Sequence, residues 1–388
     1  MSEVQTIIDN CTECNLCVNE CDFLSNSAIT PKKIAEHSQR NCYSDDLNFP
    51  YSCNLCGLCE VTCPQGLNVG KMVFEIRKEM VREGLAPLPC HKPIQESQQF
   101  YISKEFKAAL PASDGNPTNS VFFPGCALSA YSPDLVVSTY KHIIKYLPDT
   151  GILLGCCGGP LYLLGDVDNA GLISQEISGD LKRLGAVQII AACPYCLKLL
   201  RETHPEMNPV SLYTILEKIG IPRHKSSNQK KLTIHDPCST RDMPAVQNSA
   251  RLLLEKCGHK FTETNHSRKT TYCCGMGGMV YASDASTGAA KTRRIIKEAD
   301  SEIVTYCATC RETIAGQGGH IAHLLDFIFN PKWNTAGRAL PQDPTSASEN
   351  LKNLKEILVS LSKSKKSTEK PANYDNTQKI GAHKEGGN

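Results

Sequence analysis

The chain has few aromatic residues and no excess of charge of either sign. Aromatic side chains make up 6% of its 388 residues, with a single tryptophan at Trp333. Its 42 basic residues nearly cancel its 40 acidic ones, for a net charge of +2. This balance argues against recognition through bulk basicity, so we expect no nucleic acid among the partners.

Long hydrophobic runs are missing as well. No apolar run reaches the roughly 18–20 residues that a membrane-spanning helix requires. The first ten residues show no basic segment followed by an apolar one, so no secretory signal is visible. These absences predict a soluble, cytoplasmic protein without a direct membrane span, which would reach a membrane only through a partner subunit.

Cysteine, in contrast, is abundant, with 21 residues. In a long chain without an export signal the thiols are expected to stay reduced, so metal binding or catalysis explains them better than disulfides do. Three of them, Cys42, Cys90 and Cys257, have no partner at ligand spacing and are interpreted as packing or surface thiols. The remaining cysteines fall into four regular groups.

The first two groups repeat one pattern, C-x2-C-x2-C-x3-C. They are Cys11, Cys14, Cys17 and Cys21, and then Cys53, Cys56, Cys59 and Cys63. Zinc sites use two well-separated C-x2-C pairs, whereas successive C-x2-C steps wrap one side of an iron–sulfur cubane that takes its fourth thiolate from the other run. We therefore predict two cubane [4Fe-4S] clusters, one held by Cys11, Cys14, Cys17 and Cys63, the other by Cys53, Cys56, Cys59 and Cys21.

The third and fourth groups form an internal repeat, in which Cys126 and Cys238 correspond. Each group has a single cysteine, then an adjacent pair followed by glycine, then a C-x2-C. The members are Cys126, Cys156, Cys157, Cys193 and Cys196 in the first copy, and Cys238, Cys273, Cys274, Cys307 and Cys310 in the second. Five thiolates are one too many for a cubane, and an adjacent pair could instead bridge irons of an opened cluster.

Apolar segments before these cysteines predict strands, and amphipathic segments between them predict helices. The predicted strands include 121–123, 152–154, 187–192, 232–234 and 303–306. The predicted helices are 32–40, 69–82, 94–109, 134–146, 170–184, 245–256, 288–298 and 351–361. Alternating strands and helices indicate a parallel sheet in each half, with cysteines at the carboxyl ends of strands.

The predicted fold class is therefore α+β combined with α/β. A mostly helical dicluster ferredoxin domain with a linker occupies 1–115. Two repeated α/β lobes related by pseudo-twofold symmetry occupy 116–227 and 228–333. An amphipathic helix and a Lys- and Ser-rich tail, expected to be disordered, occupy 334–388.

A repeat unit with an adjacent cysteine pair followed by glycine is typical of the CCG domain. Two such domains behind a dicluster ferredoxin resemble the fused catalytic subunit of heterodisulfide reductases. The resemblance implies that each five-cysteine group holds a noncubane [4Fe-4S] cluster and is catalytic. It also implies that a small-molecule disulfide or thiol substrate binds between the two groups and is split by successive single electrons. We accordingly expect an iron–sulfur oxidoreductase that works as a subunit of a larger complex.

The layout is also similar to the iron–sulfur subunits of anaerobic glycerol-3-phosphate, glycolate and lactate dehydrogenases, which pass electrons from a flavoprotein toward quinone. An electron-transfer subunit is thus the alternative function, and a non-redox metal-storage module is the weakest one. The sequence shows no flavin or nicotinamide motif, so a partner must supply electrons. The expected donors are a flavoprotein, a hydrogenase or a haem-b membrane subunit.

Three charged or titratable residues stand close to the repeated cysteines. His235 could protonate a departing thiolate, and Lys198 and Arg311 could stabilise negative charge on a cluster or an anionic substrate. We favour a hydrogen-bonded turn histidine and two solvated first helical turns. The glycine-rich segment 275–278 has no Walker lysine or dinucleotide spacing, so we expect no nucleotide site there.

Overall fold

The computed structural model describes residues 2–40, 46–112, 116–222, 231–330 and 344–364. Cys42, Trp333 and the predicted disordered tail beyond residue 364 lie outside these ranges. The α-helices are α1 (Glu3–Asn10), α2 (Leu16–Asn19), α3 (Asp22–Ser27), α4 (Pro31–Gln39), α5 (Leu58–Thr62), α6 (Val69–Arg82), α7 (Lys92–Ile102), α8 (Cys126–Tyr131), α9 (Pro133–Tyr146), α10 (Gly159–Leu163), α11 (Val167–Leu184), α12 (Pro194–Thr203), α13 (Leu212–Ile219), α14 (Pro244–Lys256), α15 (Ala285–Glu298), α16 (Ala308–Gly316), α17 (Leu324–Phe329) and α18 (Pro344–Ser364). The strands are β1 (Ala108–Leu110), β2 (Ser120–Phe123), β3 (Thr150–Leu154), β4 (Gln188–Ala191), β5 (Val210–Ser211), β6 (Lys231–His235), β7 (Lys260–Glu263), β8 (Glu302–Thr305) and β9 (Ile321–His323).

The N-terminal part of the chain is helical, as predicted. The polar side chains of Ser2, Thr30 and Asn68 cap the first turns of α1, α4 and α6. One apolar face of α6, with Met72 and Met80 fully buried, packs into a small core of its own. The helix predicted over 69–82 is confirmed with the same bounds.

Two sheets follow, one in each lobe. The first has the order β1-β3-β2-β4-β5 and the second β7-β6-β8-β9. Without β1 the two orders correspond strand for strand, and all remaining pairs are parallel. The sequence repeat is therefore a structural repeat, and the prediction of mixed α/β lobes behind a helical ferredoxin is confirmed.

The helix predicted over 94–109 is wrong in its second half. Helix α7 ends at Ile102, and Ala108–Leu110 forms strand β1, antiparallel to β3 with Ala109 opposite Leu153. Alanines favour a helix locally, but here the free edge of β3 offers backbone pairing, and tertiary pairing overrides local propensity. A segment before residue 115 thus joins the sheet of the first lobe.

The two lobes share one continuous hydrophobic core. Side chains of both sheets belong to it, among them Phe122, Ile190 and Ile234. Helix α18 packs on α8 and α9 through a buried stripe that includes Leu354, so the predicted amphipathic helix is confirmed. Among the described residues, no helix combines the length and the apolar character needed to cross a membrane.

Candidate iron–sulfur sites

The two N-terminal cysteine runs fold into matching backbone loops. In each loop the residues on both sides of the second cysteine have positive φ: Glu13 (53°) and Asn15 (63°) in the first run, Leu55 (51°) and Gly57 (74°) in the second. Residues other than glycine are strained in this region. The same strained path therefore occurs twice, which fits two sites of the same shape. The Leu55 amide also donates to Cys53 Sγ at 3.5 Å.

The structure brings the last cysteine of each run to the other loop. Burial raises the pKa of the Cys17 thiol to about 11, and neighbouring thiols contribute to this rise. Those neighbours are Cys11, Cys63 and Cys14. The second grouping lines a cavity and consists of Cys21, Cys53, Cys56 and Cys59. These two groupings support the crosswise ligand assignment made from the sequence.

The crowding of these thiols fits a metal–sulfur core. Burial raises the pKa of Cys53 to about 12, and the nearby Cys21 adds to the shift. Burial and neighbouring thiols also hold the pKa of Cys59 well above its usual range. Thiolates packed so closely repel one another, whereas a positively charged core takes up deprotonated thiols and removes that repulsion.

Two buried cations lie beside the cavity that Cys21, Cys53, Cys56 and Cys59 line. Lys291 lines it from the second lobe, with Nζ 3.8 Å from Cys21 Sγ. Burial lowers the pKa of Lys291, but the thiols of Cys21 and its neighbours outweigh this and leave it raised. Arg77 is fully buried and donates to the Cys53 carbonyl at 2.7 Å. Neither residue stood out in the sequence.

The first five-cysteine group is a continuous chain of sulfur contacts. Cys126 and Cys156 have their sulfurs 3.8 Å apart, and Cys157 and Cys196 have theirs 3.2 Å apart. Cys156 also contacts Cys157, and Cys196 contacts Cys193. All five predicted thiols therefore converge at the carboxyl ends of β2, β3 and β4.

The second group is linked in the same order. Its chain of contacts runs through Cys238, Cys273, Cys274, Cys310 and Cys307. In both groups the first cysteine of the adjacent pair accepts hydrogen bonds from its neighbours, which hold its pKa well below its usual range. Among the described residues, no three His, Cys, Asp or Glu side chains are placed so that together they could hold a single metal ion.

The two groups touch each other through equivalent residues. Cys193 and Cys307, each the first cysteine of its C-x2-C, lie within hydrogen-bonding distance of one another. A contact between equivalent positions is what a twofold relation between two lobes produces. The contact also places the two five-cysteine groups side by side.

The ferredoxin part contacts the second group closely. The hydrogen bond to Cys273 and burial hold the pKa of Cys238 well above its usual range, and the nearby Cys56 adds to this shift. Cys56 is also close to Cys273. Asn54 Nδ2 donates to the carbonyls of Gly275 at 2.7 Å and Gly277 at 3.0 Å. The cavity of Cys21, Cys53, Cys56 and Cys59 therefore adjoins the second five-cysteine group.

Glycine is required where the ferredoxin part meets the second five-cysteine group. A Cβ on Gly277 would lie 2.6 Å from the Asn54 carbonyl oxygen and 2.9 Å from Cys273 Sγ. Gly275, with φ of 103°, donates its amide to Cys273 Sγ at 3.4 Å. The glycine-rich segment thus serves close packing and sulfur hydrogen bonding.

The three charged or titratable residues singled out in the sequence have different surroundings in the structure. Lys198 is exposed, which confirms its interpretation as a solvated residue. Arg311 is completely buried over the Tyr131 ring, 4.7 Å from its centroid, so the solvated interpretation is wrong for this residue. His235 is buried with no hydrogen-bond partner at Nε2, and burial lowers its pKa to about 4.

The remaining described cysteines lie apart from the four groups. Cys257 caps α14 and packs against the main core, where burial raises its pKa to about 12. Cys90 lies in the short turn before α7, and burial raises its pKa as well. Their positions agree with packing roles.

Comparison with protein families gives matches to both parts of the chain. Residues 7–67 match the model of a 4Fe-4S dicluster domain. Residues 120–201 and 232–315 each match the model of a cysteine-rich domain named CCG.

Curated relatives match most of the chain. One subunit of the fumarate reductase (CoM/CoB) of Methanothermobacter marburgensis is 26% identical over 78% of this chain and 66% of its own length. One subunit of the dihydromethanophenazine:CoB–CoM heterodisulfide reductase of Methanosarcina mazei is 25% identical over 77% of this chain and 86% of its own length. The same subunit from Methanosarcina barkeri is 24% identical over 74% and 75%. The chain thus spans about two thirds of the first relative.

Fold, cysteine groups and family matches define an iron–sulfur protein in which a dicluster domain precedes two cysteine-rich domains, and the chain belongs to this class. Within the class it is an iron–sulfur electron-transfer protein related to this subunit of heterodisulfide reductase, and its curated relatives are named as subunits of reductases.

Proposed function

We propose that the chain carries four iron–sulfur clusters and reduces a small-molecule disulfide. Two cubanes would be held by Cys11, Cys14, Cys17 and Cys63 and by Cys21, Cys53, Cys56 and Cys59. Two noncubane [4Fe-4S] clusters would be held by the two five-cysteine groups. The observation that carries the proposal is the pair of complete groups, linked in the same order and touching through Cys193 and Cys307.

The packing supports a linear order of electron transfer. The first cubane site reaches the surface, because Cys14 is exposed. The second adjoins Cys273 of the second group, and that group touches the first group at Cys193. Electrons would enter near Cys14, pass through the second lobe and arrive last at the first lobe.

The substrate is expected at the junction of the two groups. Cys193, which touches Cys307 at this junction, is partly exposed, as are Cys126 of the first group and Cys238 of the second, whereas the other sulfurs of both groups are buried. When bound, the clusters supply electrons one at a time. Splitting R–S–S–R to two thiols consumes two electrons and two protons, and the chain needs an electron-donating partner for this.

The partner is proposed to be a flavoprotein, a hydrogenase or a haem-b membrane subunit. The relatives are named as subunits of reductases, which supports a complex of several chains. A complex with a membrane subunit would attach the chain to a membrane from the cytoplasmic side.

A second candidate function is electron transfer without a substrate of its own. It is favoured by the relative named as a subunit of a fumarate reductase, whose named substrate is not a disulfide. In this case a flavin-dependent partner would carry out substrate chemistry, and the chain would pass electrons on.

The two functions are distinguished by EPR spectroscopy of the anaerobically purified chain. A paramagnetic signal that forms only after a disulfide is added to the partly reduced protein, whose clusters can give it electrons, supports the reductase. Cys156→Ser or Cys274→Ser should abolish that signal and disulfide turnover, whereas Cys257→Ser, outside the groups, should leave both intact. Full disulfide turnover in both group variants would refute the reductase.

A further inference from the structure

A lysine occupies the buried face of helix α15. The inward-facing residues of this helix are Thr287, Gly288, Lys291, Thr292 and Ile295, at helical spacing. The side chain of Lys291 is only 5% exposed. Lysine is rarely buried unless it is paired, so its position in an inward stripe calls for a counter-charge.

The nearby carboxylate of Asp22 provides only part of that counter-charge, because it is shared with Arg294. Lys291 Nζ is 3.8 Å from Asp22 Oδ2, whereas Arg294 Nη2 approaches Asp22 Oδ1 to 2.9 Å. The ammonium donates its hydrogen bond to Cys21 Sγ at 3.8 Å, a long contact that the large sulfur atom still accepts. Lys291 is thus aimed at a proposed cluster ligand.

Two arginines also approach this cavity, but through backbone carbonyls. Arg77 donates to the Cys53 carbonyl at 2.7 Å, and Arg241 Nε donates to the Cys56 carbonyl at 3.2 Å. Lys291 differs from both because it faces the sulfur itself, and like Arg241 it comes from the second lobe. Its ammonium is near thiols of both the cubane site, Cys21 and Cys56, and the five-cysteine group that contains Cys273.

A cubane with four thiolates is an anion, and reduction adds a further negative charge. A fixed cation at its edge, in a site with little water, stabilises the reduced form more than the oxidised form. The buried ammonium and the cluster would thus compensate each other's loss of hydration.

We propose that Lys291 is a redox-tuning residue that raises the reduction potential of the cubane held by Cys21, Cys53, Cys56 and Cys59. It would hold the electron at the cluster next to the second lobe before transfer to the five-cysteine group. The inference rests on the proposed cluster assignment. Because the cation and the cluster belong to different domains, the potential also reports whether the ferredoxin part is docked on the second lobe.

The test is an EPR-monitored redox titration of the full chain, together with iron analysis. In Lys291→Met, one cubane signal should shift to a more negative midpoint potential, with the iron content unchanged. Lys291→Arg should retain most of the wild-type potential. Arg293→Met, which removes an exposed cation from the same helix, should leave all potentials unchanged. Unshifted potentials in Lys291→Met at full iron content would overturn the proposal.

A second variant keeps the test decisive if Lys291→Met loses its cluster. Asp22→Asn removes a negative charge that lies 3.8 Å from Lys291 Nζ, next in sequence to Cys21, and should shift the same signal to a more positive potential. An unchanged or more negative potential in Asp22→Asn would then overturn the proposal. A wild-type protein without a second cubane would instead refute the proposed cluster assignment, so the two failures are distinguishable.

Discussion

At the scale of single residues, buried cations connect the parts of this protein. Arg77 makes five hydrogen bonds, all to backbone carbonyls. It joins Pro50 and Cys53 of the ferredoxin part to Leu163 of the first lobe and Gly278 of the second. Burial lowers the pKa of Arg77 to about 10, so the guanidinium remains charged at neutral pH. One side chain thus connects three parts of the chain.

Removing this side chain should destabilise the whole protein. Arg77→Met would leave four buried carbonyls without their donor, and we expect the free energy of unfolding to fall by about 3–5 kcal/mol. Chemical denaturation of the purified protein measures this. Arg82→Met, on the same helix but with a side chain that is 76% exposed, should change it by less than about 0.5 kcal/mol. Equal effects of the two variants would contradict the connecting role of Arg77.

Two buried histidines make the stability depend on pH. His91 Nδ1 accepts from the Leu88 amide, and His323 Nδ1 accepts from the Leu325 amide, which requires neutral rings. Burial lowers the pKa of His91 to about 4 and that of His323 to about 3. Below the ordinary pKa of about 6.5, the unfolded chain takes up protons that the folded chain refuses, so stability falls as pH decreases.

Each histidine should contribute about 1.4 kcal/mol per pH unit between about pH 6 and pH 4.5. Urea unfolding at a series of pH values measures the slope. His91→Gln should reduce that slope by one such contribution, and His320→Gln, at an exposed position, should not alter it. A slope that is unchanged in His91→Gln would show that this ring is protonated in the folded state.

At the scale of elements, the sequence predicted more of the fold than of the contacts between elements. Helix α6 and strands β2, β4, β6 and β8 lie where their apolar patterns indicated. Strand β1 was missed because its pairing with β3 depends on a distant partner. Arg311 was misjudged for the same reason: its position after Cys310 suggests a solvated turn, but packing of α16 against α8 buries it.

The segment around Gly278 shows such a contact between elements. With φ of 62°, a Cβ at Gly278 would lie 2.3 Å from the Cys53 carbonyl oxygen. Gly278→Ala should therefore separate the ferredoxin part from the second lobe and lower the thermal unfolding midpoint by several degrees. Gly185→Ala has a similar φ of 74° but open space around it, so it reports the backbone strain alone. Equal shifts in both variants would contradict close packing at Gly278.

At the scale of the whole molecule, two similar lobes are placed differently relative to the ferredoxin part, which adjoins the second five-cysteine group. The sequence repeat predicted both five-cysteine groups with all ten members. It could not predict that the ferredoxin part adjoins the second group, because nothing in two equivalent motifs indicates which one lies nearer. Lys291 and Asn54 lie at that contact. Neither belongs to a motif in the sequence, so only the packing shows that they join the ferredoxin part to the second lobe.

The central claim is that four cysteine clusters hold four iron–sulfur cores, and iron analysis of the anaerobically purified full chain tests it most directly. The account predicts about sixteen iron atoms per chain, with Mössbauer spectra that separate cubanes from opened clusters. It also predicts that Cys273→Ser lowers the count by about four while both cubane signals persist. A wild-type count of about eight after full reconstitution, with cubane signals alone, would contradict it.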